Sequence, residues 1–224
     1  LACTKVHPYF TDKVIQDIIT FLSNTNNVLI LVPSNYAAKK WIARGARLYD
    51  ASKVNQLALD FKQSNNFGMA VLANKYDGID LPEDLCHITV IDGVPNPMSV
   101  GDRANAQRNP DALSTDVPVL RELEQGMGRA VRSKADYSLI FLLGNKLQDL
   151  IYSKSNLLTS ETLSQWEFFK ELAHNMKNNY PEVKDAKKEL WKLIQGVISQ
   201  DDRWAAVYKE KINQYYNDIL SETK

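Results

Sequence analysis

Cysteine is scarce in this sequence: Cys3 and Cys86 are the only two, and they lie far apart. That argues against a disulfide framework or a cysteine-rich metal site and fits a reducing cytoplasm. No apolar run approaches the ~18 residues that a membrane span needs, and Lys5, His7 and Asp12 interrupt any signal-like start. Charge of one sign is lacking too, since 27 Lys and Arg balance 27 Asp and Glu. A freely basic nucleic-acid binder would be lopsided, so any such contact has to be local and shared with another domain. His7, His87 and His174 are scattered without partners at ligand spacing, so no metal site is expected. There is no G-x-S-x-G elbow for a nucleophilic serine. The G-x-x-x-x-G-K-[ST] phosphate loop and a D-E-x-H-like Mg²⁺ box are missing as well.

What is present reads as alternating helices and strands. Residues 11–22 place Val14, Ile15, Ile18, Ile19 and Leu22 at helical spacing, with Thr11 as N-cap. Residues 28–32 form an apolar run closed by Pro33, as in a strand covered on both faces. Helices are expected over 35–48, with Ala37, Trp41 and Leu48 inward, and over 54–63. Further buried strands are expected over 68–73, 87–91 and 138–143. Strands separated by helices predict an α/β doubly wound parallel sheet, with ligands at the strands' carboxyl ends. From residue 159 the pattern becomes helical, over 162–176, 181–198 and 203–220, with Asp201 or Asp202 as a cap for the last. The aromatic residues there suit helix packing, with base stacking as the alternative. The expected division is a domain over 1–150 and a C-terminal helical appendage over 151–224. The first residue is Leu rather than Met, as expected of a piece of a longer protein.

Three segments carry chemistry. Gln125-Gly126-Met127-Gly128-Arg129-Ala130-Val131-Arg132 sets two arginines three residues apart at a tight glycine turn ahead of a strand. At that spacing both guanidinium groups fall on one helix face and can reach one anion. The bland alternative is a surface ion-pair cluster with Glu122, Glu124 or Asp136. A dinucleotide fingerprint fails because Val131 stands where the third glycine would be. After the second strand, the stretch Asn74-Lys75-Tyr76-Asp77-Gly78-Ile79-Asp80 is either a carboxylate-bearing site or a plain turn. Ser34, beyond the first strand, suits either an anion site at a helix N-terminus or a simple cap. The polar stretch 101–118, with Arg103 and Arg108, reads as a loop that can touch nucleic acid or stay solvated.

In this order and context the three segments resemble motifs IV (28–41), V (74–82) and VI (125–132) of the superfamily 2 nucleic-acid helicases. Within that superfamily they look like the C-terminal motor (RecA-like) domain of the DinG/XPD type, over roughly residues 10–150. The run Asp92-Gly93-Val94-Pro95-Asn96-Pro97 is similar to that group's proline-containing segment. Tyr76-Asp77 departs from the group's usual Trp-Glu. The resemblance implies an ATP-dependent helicase in the full-length protein, with this fragment alone inactive. It implies Arg132 on the γ-phosphate, Arg129 in support and Gln125 ordering nucleotide or water, with Gly78, Asp80 and Gly128 binding ATP. It implies Ser34, Asn74 and Lys75 on the nucleic acid, single-stranded or duplex, with DNA preferred to RNA. Mg²⁺ ligands and the glycine–lysine loop would belong to an N-terminal motor domain of the same protein. The rival is a non-catalytic RecA-like module for interaction or nucleotide binding.

Overall fold

Every residue of β2 (Val28–Val32), β5 (Ile88–Asp92) and β6 (Leu139–Leu143) is buried. Burial of successive residues means both faces of the strand are covered, which is the environment of a parallel sheet between helix layers. The computed structural model describes residues 2–3, 7–64, 67–76, 85–95, 113–128 and 137–222. Its sheet has six strands in the order β1 (Ala2–Cys3), β6, β5, β2, β4 (Met69–Ala73) and β3 (Arg47–Tyr49). All neighbours pair in parallel. Val32 lies opposite Ala73, and Asp92 opposite Leu143, so the carboxyl ends are level. From β2 the chain passes to the edge strand β3, returns to β4 between them, then crosses to β5 and β6 on the other side. The switch point between β2 and β5 is where an open α/β sheet opens a crevice.

Helix α1 (Asp12–Leu22) buries Ile15, Ile19 and Leu22, and Thr11 Oγ1 caps it by accepting from the Val14 N–H at 3.4 Å. Helix α2 spans Asn35–Ile42 and α3 spans Val54–Gln63. The helix expected over 35–48 therefore ends early. Residues 47–49 instead pair with β4, and strand alternation buries Tyr49 while Leu48 stays 46% exposed. Ala38 rather than Ala37 joins Trp41 on the buried face of α2. Helix α4 (Leu113–Gly128) takes the end of the stretch expected to be loop. Pro118 forfeits one helical hydrogen bond there, but Leu120, Leu123 and Met127 bury along one face and outweigh it. Helix α5 (Asn145–Lys154), with Leu147 and Ile151 buried, was not anticipated; it runs across the division expected at residue 150.

The last three helices are α6 (Ser160–Asn179), α7 (Val183–Ile198) and α8 (Asp202–Glu222). Trp166, Phe169 and Met176 of α6 and Ala186, Leu190 and Ile194 of α7 belong to the same hydrophobic core as the sheet. The aromatic residues of this region are packing elements: Trp166 stacks on Phe169 at 5.2 Å, and Phe168 meets Trp204 and Tyr208. Asp201 caps α8 by accepting from the N–H groups of Arg203 and Trp204. Glu171 accepts from Lys211 Nζ at 2.9 Å and Tyr215 Oη at 2.8 Å, tying α8 to α6. No described helix is long and apolar enough to cross a membrane.

Because Trp166 is 2% exposed within the common core, Trp166→Ala is expected to cost about 3–5 kcal/mol. Denaturant unfolding followed by circular dichroism measures it, and an unchanged transition midpoint contradicts the shared core.

Candidate functional site

The carboxyl edge of the sheet is assembled from four strand exits. From β2 the chain passes through Pro33 to Ser34, whose hydroxyl caps α2 by accepting from the Ala37 N–H at 3.2 Å. The cap reading of Ser34 thus holds. The Asn35 and Tyr36 N–H groups in the first turn have no helical acceptor, which leaves a positive end at this edge. From β4 the chain turns sharply at Asn74, whose φ of 53° lies in the left-handed region that Asn tolerates. The Asn74 N–H donates to the Val32 carbonyl at 2.9 Å. This turn leaves Asn74 exposed, Lys75 half-buried and Tyr76 fully buried. The Tyr76 hydroxyl has no hydrogen-bond partner among the described residues, and burial, then the carboxylates of Glu122 and Asp92, push its pKa up.

From β5 the chain ends at Asp92, which is 3% exposed. Its Oδ2 accepts from Trp41 Nε1 at 2.7 Å and sits 2.6 Å from Lys40 Nζ. A buried carboxylate needs such partners, and charge-assisted bonds are the stronger kind. Gly93 follows with φ 105°, and a Cβ there would lie 3.1 Å from the Pro33 ring. That close approach holds the exits of β2 and β5 together. From β6, Gly144 leads into α5, near Gly93.

Helix α4 packs on one face of the sheet near this edge. Gly126 is not in a tight turn, as the sequence suggested, but in the helix's last turn. A Cβ on it would stand 3.2 Å from Leu31, 3.3 Å from Tyr76 and 3.4 Å from Ile91. The glycine is needed for close packing rather than for bending. Gln125 is exposed beside it, and Gly128 is the last helical residue. The start of the motif-VI-like stretch therefore lies on the same edge as Ser34, Asn74 and Lys75. Arg129, Arg132, Gly78 and Asp80 lie outside the described residues, as do Arg103 and Arg108.

Two further sets of contacts went unread in the sequence, where Glu124 was named only as a candidate ion-pair partner of the arginines. Glu124 accepts from the Thr159 N–H and hydroxyl, both at 2.7 Å, and pairs with Arg121. Burial pushes the Glu124 carboxyl up, but the Thr159 backbone and hydroxyl, Arg121 and Thr162 outweigh it and hold the pKa below the usual range. Asp92 with Lys40 and Trp41 is the other group. The only sequence signal for either was a lone acid beside a glycine or a helix. Among the described residues no three His, Cys, Asp or Glu side chains gather as a metal group.

A parallel sheet with level carboxyl ends, helices on both faces and a switch point between β2 and β5 is the RecA-like architecture of a helicase motor domain. The model of the helicase C-terminal domain family matches residues 18–160, more than half of the chain, and the chain belongs to that family. Among solved structures, an XPD helicase is similar at 24% identity and a TM-score of 0.51, over 69% of this chain and 33% of that one. This chain thus spans a third of that helicase. Mss116p DEAD-box helicase domain 2, solved bound to an RNA duplex, is similar at 15% identity and a TM-score of 0.41, over 94% and 80% of the two chains. The C-terminal part of the Fun30 ATPase domain follows at 14% and 0.41, over 75% and 53%. A search of curated proteins finds no match.

Two outcomes follow from this geometry. Gly126→Ala is expected to destabilise by about 1 kcal/mol, because crowding three fully buried side chains outweighs the gain in helix propensity; thermal unfolding reads it, and stabilisation contradicts the close approach. Glu124 has a depressed folded pKa, so the stability it contributes is present above the ordinary carboxyl range. It is lost as pH falls through the depressed value. Stability measured against pH is expected to fall less on the acid side in Glu124→Gln than in the parent.

Proposed function

We propose that this chain is the second motor domain of an ATP-dependent nucleic-acid helicase or translocase. The observation that carries the reading is the seat of Gly126 on Leu31, Tyr76 and Ile91. It brings residues 125–128 to the edge that already holds Ser34, Asn74 and Lys75. Membership of the helicase C-terminal domain family supports the general role.

Hydrolysis transfers the γ-phosphoryl group of ATP to water, and its rate depends mainly on positioning and on charge at the equatorial oxygens. In this proposal Arg132 contacts the γ-phosphate, Arg129 supports the same site and Gln125 orders nucleotide or water. Gly78, Asp80 and Gly128 hold the nucleotide, with Asp80 on the ribose and the glycines allowing close approach. Ser34, Asn74 and Lys75 grip single-stranded or duplex nucleic acid, DNA in preference to RNA. The helix N-terminus at Ser34 favours a phosphate there.

Resident Mg²⁺ does not fit the described residues of this edge, which leave out Asp77 and Asp80. Its buried carboxylate, Asp92, is already engaged by Lys40 and Trp41, and no donor trio gathers among the described residues. The Mg²⁺ ligands and the glycine–lysine loop are therefore assigned to an N-terminal motor domain of the same cytoplasmic protein. Residues 1–150 form the motor unit in this reading, with 151–224 as the helical extension packed on it. Closure of the two motor domains brings the arginines to the nucleotide, and hydrolysis releases the closure. Repeated cycles move the protein along the strand.

Arg132→Ala in the full-length protein is expected to lower ATP turnover by ~10³- to 10⁵-fold, the usual worth of an arginine finger, while nucleic-acid affinity is kept. Steady-state ATPase with and without single-stranded DNA measures this, and turnover near the parent's removes Arg132 from the mechanism. The present chain alone is expected to show negligible ATPase.

A further inference from the structure

Tyr36 is the most exposed of the large hydrophobic side chains among the described residues, at 81%. It stands in the first turn of α2, next to the Ser34 cap at the carboxyl edge of the sheet. The helix buries Ala38 and Trp41, so its inward face is already supplied and the ring of Tyr36 adds nothing to the core. The ring instead carries a cation, with Lys39 Nζ 5.5 Å from its centroid. Lys39 is itself exposed and has no carboxylate partner among the described residues.

The surrounding charge is one-sided, in a chain that is neutral overall. Between Val28 and Tyr49 there is no Asp or Glu, but there are Lys39, Lys40, Arg44 and Arg47. Three of the four cations are engaged. Lys40 pairs with Asp92, Arg44 pairs with Asp17 at 2.6 Å, and Arg47 lies 4.2 Å from the centre of the Phe67 ring. Lys39 is left to the solvent together with the aromatic face beneath it.

We propose that Tyr36 and Lys39 form a platform for one unpaired nucleotide, the ring stacking on the base and the ammonium meeting the neighbouring phosphate. The proposal rests on the nucleic-acid reading of this edge and adds a base contact to the phosphate contacts already assigned. Stacking of bases on aromatic side chains tolerates any sequence, because every base has a π-face, and it needs a strand whose bases are not paired. That suits a translocase, which has to hold successive nucleotides without reading them. Lys39, with no carboxylate partner among the described residues, sets positive charge beside an open ring, which complements a polyanion better than an average protein surface.

The test uses the full-length protein with a short single strand carrying one fluorescent adenine analogue, as DNA and separately as RNA. Parent protein is expected to bind and to quench the analogue by stacking. Tyr36→Ala is expected to weaken binding roughly fivefold to a hundredfold, the range for one lost base stack, and to abolish the quench. Tyr36→Trp restores both. Lys39→Met keeps the quench but reduces the salt dependence of log K by about 0.7, one single-strand phosphate. The side chain is exposed, so its truncation leaves no cavity to unfold the domain. Parent-like affinity and quench in Tyr36→Ala overturn the platform while leaving the helicase reading in place. A loss that Tyr36→Trp does not restore points to a protein contact, such as the other motor domain, and also overturns it. A full-length protein that binds neither strand removes both readings.

Discussion

Helix α4 can approach the sheet only because residue 126 has no side chain. Its backbone comes within van der Waals reach of Leu31, Tyr76 and Ile91, which belong to β2, to the turn after β4 and to β5. Those three places are exits or near-exits of neighbouring strands whose carboxyl ends are level. A bulkier residue would lift the helix from all three at once. The relation between the motif-like stretch at 125–128 and the polar exits of the strands is therefore set by packing, before any ligand is considered.

The same edge concentrates the unusual local choices of the chain. Asn74 takes a left-handed backbone, and Gly93 leans on Pro33. Asp92 sets a carboxyl group in a buried place, and the Tyr76 hydroxyl has no hydrogen-bond partner among the described residues. A buried hydroxyl without a hydrogen bond costs about 1–3 kcal/mol, and a left-handed non-glycine residue adds to that. Departures occur elsewhere too, as at Gln200 with its φ of 52° and the buried Thr89, but several meet at this edge. Departures of this kind gather where a protein is built to act rather than only to fold. Asp92 also has a mechanical consequence. Through Lys40 and Trp41 it ties the last turn of α2 to the end of β5.

How much of this could be read from the sequence depended on the range of each interaction. Five-residue apolar runs such as Val28–Val32 and Leu139–Leu143 were legible because burial on both faces leaves no polar position. The caps at Thr11, Ser34 and Asp201 were legible because each acts within three residues of itself. Arg47–Tyr49 was not, since a three-residue edge strand with two exposed residues has no period to detect. Gly126 was ambiguous, because a glycine serves a turn and a close approach equally well. The pairs Trp41–Asp92 and Glu124–Thr159 span 51 and 35 residues, and no local pattern predicts contact across such gaps.

The C-terminal helices bear on the site through the second of those pairs. Thr159, the N-cap of α6, donates twice to Glu124, one residue before Gln125. Met127, two residues on, lies in a pocket wall with Leu142, Ile151, Leu158 and Trp166. The last turn of α4 is thus fixed on one side by the sheet, through Gly126, and on the other by the extension, through Glu124 and Met127. Whatever follows residue 128 leaves from a support held on two sides. The closure proposed above needs a base that does not give way, and a helix end packed into one continuous core supplies one. The extension therefore shares one continuous hydrophobic core with the sheet, although the family match ends at residue 160.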